Sequence, residues 1–161
     1  MTKAKSPVYV VKFRRRRSGR TNYRKRLNLV KSGKTRAVVR RSNRSILIQF
    51  INFDPVGDKT LVSFNSLLLK KLFNWPAKRN KYTAYLAGLY AGKQAKAKGV
   101  SEFVLDMGMH VPSKGAIVFA ALKGLVDSGL KTSVGEDMLP SMEAPDDIKK
   151  SFEEAKKQIS K

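Results

Sequence analysis

The chain has 161 residues, 42% of them apolar, and sets 34 lysines and arginines against 12 acids for a formal net charge of +22. That length and apolar content suffice for one core of ordinary domain size, but the charge opposes compaction unless an anion offsets it, so a polyanionic partner is the leading expectation. Cysteine is absent, which excludes a disulfide framework, a zinc ribbon and a thiol nucleophile.

The apolar run within MTKAKSPVYVVKF is too short for the core of a secretory leader. No run approaches the about 18 apolar residues of a membrane span, and the expectation is a soluble, intracellular, unprocessed chain. Charge is concentrated at one end: residues 1–44 hold 17 of the 34 cations, and the first carboxylate is Asp54. Within FRRRRSGRTNYRKRLNLVKSGKTRAVVRRSNRS, Phe13 to Ser45, arginine outnumbers lysine. Its planar fork grips phosphate with two donors and stacks on bases. Tyr9, Phe13 and Tyr23 are interleaved among these charges, a pattern suited to unpaired RNA, whose splayed bases stack on rings while cations hold the backbone. Two other readings stay open: a disordered basic tail, and a lipid-surface helix, for which Tyr23, Leu27 and Val30 offer only a thin apolar face.

From Arg36 to Phe53, two β-branched runs separated by Ser42 and Asn43 predict a hairpin with a tight polar turn, its tip crowded by Arg40, Arg41 and Arg44. DPVGD, Asp54 to Asp58, is a turn signal, and KTLVSF adds a third antiparallel strand. Ser66 is a candidate N-cap for a short helix, LLLKKLF, stopped by Pro76. Asn80 then opens a helix of about five turns, closed at Gly99, with Tyr82, Tyr85, Leu86, Leu89 and Tyr90 on neighbouring turns. This stripe is read as core. Ala84, Gly88, Ala91, Gly92 and Ala95 lie on another side, where they permit close approach of a sheet or another backbone. EFVLDMG predicts a further strand leading into the loop MGMHVPSKG, and GAIVFAALKGLVDSGL a second amphipathic helix ending at Gly129. Beyond Lys131 apolar density falls, and a short helix is expected from about Pro145 and Asp146.

These elements predict an α/β fold: a single domain whose mixed sheet combines an antiparallel three-stranded meander with one further strand, packed by two main helices. The expected division is a basic N-terminal arm over 1–35, an α/β core over 36–131 and a C-terminal extension over 132–161. Asp106 and His110 flank the loop after a strand, where catalytic pairs are often placed. No nucleophile elbow, phosphate loop or clustered metal-ligand set accompanies them. Asp106 is therefore expected to cap loop amides and His110 to contact a partner. Neither a catalytic nor a metal role is assigned.

The arm sequence, followed in order by YLAGLYAG, LDMGMHVPSKGAIVFAALKGLVDSGL and EDMLPS, resembles the archaeal and eukaryotic branch of the large-subunit ribosomal protein family that binds 5S rRNA, number eighteen in the universal naming. The resemblance implies a non-enzymatic constituent of the central protuberance that contacts 5S rRNA, 23S rRNA and neighbouring ribosomal proteins, cytoplasmic and ribosome-bound. It implies neither cofactor, membrane nor small-molecule substrate. The implied fold resembles the ribonuclease-H-like motif without its catalytic carboxylates. Carried over by position, Arg14, Arg15, Arg16, Arg17, Arg20, Tyr23, Lys25 and Arg26 fall in the family's basic arm. Arg40, Arg41, Asn43 and Arg44 fall on its hairpin, and the Gly108–Gly115 loop, with His110 and Lys114, lies near RNA in the family. The remaining alternative is a general nucleic-acid-binding basic protein.

Overall fold

A computed structural model describes residues 6–76 and 78–160. Strands β1 (Thr35–Arg41), β2 (Ile46–Asn52) and β3 (Lys59–Asn65) form the expected meander. Strand β4 (Phe103–Asp106) joins β1 in parallel, so the four-stranded mixed sheet runs β3-β2-β1-β4. The arm contains helices α1 (Arg14–Arg17) and α2 (Tyr23–Lys31). Helix α3 (Leu68–Phe73) precedes the long α4 (Lys81–Ala97), and α5 (Ile117–Asp127) follows β4. One 3-10 turn, Glu136–Met138, leads to the last helix, α6 (Asp146–Ser160).

Strand alternation sorts the sheet into two faces. Ala37 and Val39 of β1, with Ile46, Ile48, Phe50, Val62, Phe64 and Phe103, are buried on the side covered by α4 and α5. The alternate β1 positions Arg36, Val38 and Arg40 therefore point to the opposite face. Helix α4 begins where Asn80 accepts a hydrogen bond from the Thr83 amide at 2.7 Å, and it terminates before Gly99 at φ +80. Tyr82, Tyr85, Leu86 and Leu89 are buried, as their spacing predicts. The small residues of α4 meet α5 rather than the sheet. A Cβ at Gly88 would lie 2.1 Å from the Ala121 carbonyl oxygen, and one at Gly124 would lie 2.2 Å from that of Tyr85.

Three local expectations are corrected. The tight hairpin turn falls one residue later than expected: continuing the register that pairs Arg41 with Ile46 sets Ser42 opposite Ser45, whose carbonyl accepts from the Ser42 amide at 2.8 Å, and leaves Asn43 and Arg44 as the two loop residues. Ser66 does not cap α3: its buried hydroxyl accepts from the Ile46 amide at 2.9 Å, tying the sheet end to the connection. Helix α3 stops at Asn74, in the left-handed region at φ 51, before Pro76 is reached.

The final helix is longer than expected, at 15 residues, and is not peripheral. Phe152, Ala155 and Ile159 belong to the core. The Phe152 ring sits 6.0 Å from Trp75, 5.6 Å from Tyr82 and 5.6 Å from Tyr85. Polar ends of that cluster are satisfied: Trp75 Nε1 donates to Thr83 Oγ1, Tyr82 Oη to the Glu143 carbonyl and Tyr85 Oη to Asp127. Burial, reinforced by that carboxylate, raises the Tyr85 hydroxyl well above its ordinary pKa.

The helix pair makes a direct prediction. Gly88→Ala drives a methyl into backbone that cannot yield, and destabilises the protein by about 2 kcal/mol or more in urea unfolding. Gly57→Ala, whose Cβ meets open space, changes stability by less than about 0.5 kcal/mol. Equal midpoints for the two variants would show that the α4–α5 approach is looser than described.

Candidate nucleic-acid interface

Four arginines form α1, all of them exposed, and no acid lies in its first turn. Like charges at that spacing repel within a helix, so the turn is braced by its surroundings. The Arg20 and Thr21 amides both donate to the Arg15 carbonyl, and Arg15 Nε reaches Thr21 Oγ1 at 2.9 Å. Asn22 then caps α2 by accepting from the Lys25 amide at 3.1 Å. Phe13 and Tyr23 meet with ring centroids 5.8 Å apart, joining the two arm helices through an exposed aromatic pair.

The arm is anchored to the sheet through charge. Arg36 in β1 is only 4% exposed, and a buried guanidinium must be paired. Its Nη2 donates to Asp58 Oδ2 at 2.5 Å and its Nη1 to Asp106 Oδ2 at 3.4 Å. The parallel register sets Asp106 beside Val38, hence between Arg36 and Arg40 on one face. Arg40 completes that side, donating to Asp106 Oδ1 at 3.0 Å and to the Asp106 carbonyl at 2.7 Å. From the arm, Arg26 Nη2 also reaches Asp58 Oδ2, at 2.7 Å. The result is an alternating chain of charges, Arg26–Asp58–Arg36–Asp106–Arg40, running from α2 across β1 to the end of β4.

The same network organises the loop after β4. Asp106 Oδ1 accepts from the Gly108 amide at 2.8 Å, the loop-capping role read from sequence. Gly108 has φ +64, which favours glycine, and a Cβ there would press on the Arg40 guanidinium, 3.0 Å from its Cζ. Both oxygens of Asp106 are thus occupied by donors, and it is not hydrogen-bonded to His110, which argues against an acid/base pair. His110 lies in a second pocket with Arg41, Met109 and Phe119. Burial, then the charges of Arg41 and Arg40, lower its pKa below the ordinary histidine value. Among the described residues, no group of three or more His, Cys, Asp or Glu side chains is placed to hold a metal ion.

The cations selected by sequence fall into two groups. Arg26 and Arg40 are committed to carboxylates. Among the described residues, Arg14, Arg15, Arg16, Arg17, Arg20, Lys25, Arg41 and Arg44 make no ion pair with an acid. At the hairpin tip the Ser42 hydroxyl accepts from the Arg44 and Ser45 amides, fixing a turn on which Asn43 and Arg44 are exposed. Lys114 is exposed in the loop that carries His110. Sequence reasoning missed Arg24, exposed among its arm neighbours, and Arg79, which donates to the Ser42 carbonyl at the tip. It also missed Arg36, Asp58 and Asp106 as a unit.

Between the arm and the β1–β4 face lies a groove of about 550 Å³, lined by Arg15, Arg20, Lys25 and Arg26 from one side and by Arg36, Val38, Arg40 and Asp106 from the other. Tyr23, Leu27 and Val30 do not form the continuous apolar face that a lipid surface requires: Val30 is half-buried and the Tyr23 ring packs at a tilt against Phe13. No helix among the described residues is long and apolar enough to cross a membrane.

The network's energetic role is testable. Asp106→Ala strips a partner from buried Arg36 and should cost about 3 kcal/mol in urea unfolding. Glu153→Ala, on the exposed side of α6, should change stability by less than about 0.5 kcal/mol. A loss at Asp106 no greater than at Glu153 would contradict a structural ion-pair chain.

A basic arm, a cationic hairpin tip and a loop pinned beside them form a charged face on the core. Comparison with protein-family models matches residues 8–102 to ribosomal large subunit proteins 60S L5 and 50S L18. The matched span takes in the arm, the three-stranded meander and α4. It covers more than half of the chain, which therefore belongs to this family of large-subunit ribosomal proteins.

Proposed function

We propose that this large-subunit ribosomal protein binds 5S rRNA and helps attach it to 23S rRNA in the central protuberance, in contact with neighbouring ribosomal proteins. Its role in translation is structural rather than catalytic. The observation that carries this reading is the sorting of cations into two populations. Those of the sheet face are held by Asp58 and Asp106, whereas those of α1, with Arg41 and Arg44 at the hairpin tip, make no ion pair with an acid among the described residues. Arg14, Arg15, Arg16, Arg17, Arg20 and Lys25 are positioned to neutralise phosphates and release counterions. Tyr23, with Phe13, offers a ring surface for an unpaired base.

Counterion release supplies strength and position but carries no sequence information. Discrimination of one RNA falls instead to shape and to unpaired segments. The rigid tip, with Arg41, Asn43 and Arg44, and the adjoining loop, with His110 and Lys114, are the parts suited to read them. A general nucleic-acid-binding protein would need no such fixed second element.

Competition separates these readings. Labelled 5S rRNA is titrated with the protein against excess transfer RNA at several salt concentrations. Preference for 5S rRNA should persist as salt rises, while replacing Arg14 to Arg17 by glutamine should flatten the salt slope by up to about 3, from about 0.7 per lost single-strand phosphate contact. Equal competition by transfer RNA throughout would leave only a general polyanion binder.

A further inference from the structure

The arm–sheet groove holds a feature that RNA binding by the outer arm leaves unexplained. Nη2 of Arg26 and Nη2 of Arg36 converge on one oxygen, Oδ2 of Asp58, at 2.7 and 2.5 Å. On the same edge of the Arg36 fork, Nε is buried and, among the described residues, has no hydrogen-bond acceptor. The carboxylate therefore occupies half of a two-donor edge. A guanidinium edge presents two parallel donors to two oxygens, and the Asp58 carboxylate, engaged through Oδ2 alone, does not supply the second. A tetrahedral oxyanion in its place has oxygens for Nε and Nη2 of Arg36 and another for Arg26.

The surroundings fit such an exchange. Arg15, Arg20 and Lys25 line the groove and, among the described residues, have no carboxylate partner of their own. Asp58 comes from the surface turn between β2 and β3, next to Gly57, and its side chain is 23% exposed. It can leave the groove without unpacking the core. Arg36 cannot leave, being fixed in the middle of the sheet beside Asp106.

We propose that this groove is a phosphate-binding site whose place is held by Asp58, and that one phosphate of an RNA backbone displaces the carboxylate to bind Arg26 and Arg36 together. This rests on the RNA-binding reading for the source of the phosphate, and adds to it an interior anchor distinct from the exposed arginines of α1. In the free protein Asp58 keeps the two guanidiniums gathered; in the complex the phosphate does so.

Inorganic phosphate is the probe, added to the full-length protein at constant ionic strength made up with chloride, with thermal unfolding as readout. Asp58→Asn should unfold at lower temperature in chloride and regain stability at a roughly tenfold lower phosphate concentration than the unsubstituted protein needs, since the resident competitor is gone. Arg26→Gln, at a side chain that is 43% exposed and outside the core, should lose most of the phosphate response. Lys150→Gln, which removes the same charge from α6, should keep it. If Asp58→Asn does not fold, the comparison of Arg26→Gln with Lys150→Gln decides. Identical responses in those two variants would overturn the site, even with 5S rRNA binding intact. Conversely, a phosphate response lost only in Arg26→Gln, in a protein with no preference for 5S rRNA, would uphold the site while removing 5S rRNA as its natural source of phosphate.

Discussion

A guanidinium enclosed within the sheet is the constraint around which the rest is arranged. Arg36 occupies a strand position that is 4% exposed, and a charge so placed is tolerated only when paired and hydrogen-bonded. Such a pair adds little net stability over an apolar replacement, but losing one partner is costly, so its main consequence is to fix where its partners must be. Asp106 is thereby held at the end of β4, where it also receives Arg40 and the Gly108 amide. Asp58 is held at the turn before β3, where it receives Arg26 of the arm. One buried charge thus registers arm, sheet and loop against each other.

That registration bears on what the unpaired cations do. An arm of like charges would sample many conformations, and ordering it against RNA would consume part of the binding free energy. Helix α2 is instead capped by Asn22, half-buries Leu29 and Val30 and is tethered through Arg26. The arginines of α1 and the hairpin tip then project from defined places rather than from a tail. The apolar half of the molecule supplies rigidity on the other face: α4 and α5 approach at Gly88 and Gly124, and α6 seals the far side by seating Phe152 among three aromatic rings.

Much of this could be read from the residues. The meander, the further strand of a mixed sheet, α4 with its Asn80 cap and α5 with its Gly129 stop follow from periodicity and punctuation, because each is decided by local preference and one buried face, whereas the parallel pairing of that strand with β1 is a long-range contact. The ends decided by distant partners were not legible. Ser66 bonds to Ile46 across the sheet end, so its position before three leucines misleads. Ile148, Phe152, Ala155 and Ile159 do recur at helical spacing, but the charges between them masked a stripe that the aromatic pocket completes. At the site, the clustering of arginine was plain and its sorting into paired and unpaired groups was not. The missed signal is Arg36 itself, an arginine inside a β-branched run, with Asp54 and Asp58 the only carboxylates before residue 102.

The ion-pair chain implies an arm that is docked and partly ordered before any RNA arrives. Amide hydrogen exchange of α2, measured on the free protein at low and moderate salt, tests it most directly. The amides from Arg26 to Val30 should be protected in the absence of RNA, and less so when Asp58 is replaced by asparagine. Exchange of those amides at the rate of an unstructured peptide, unaffected by that replacement, would contradict it and return the arm to a basic tail that folds only on its partner.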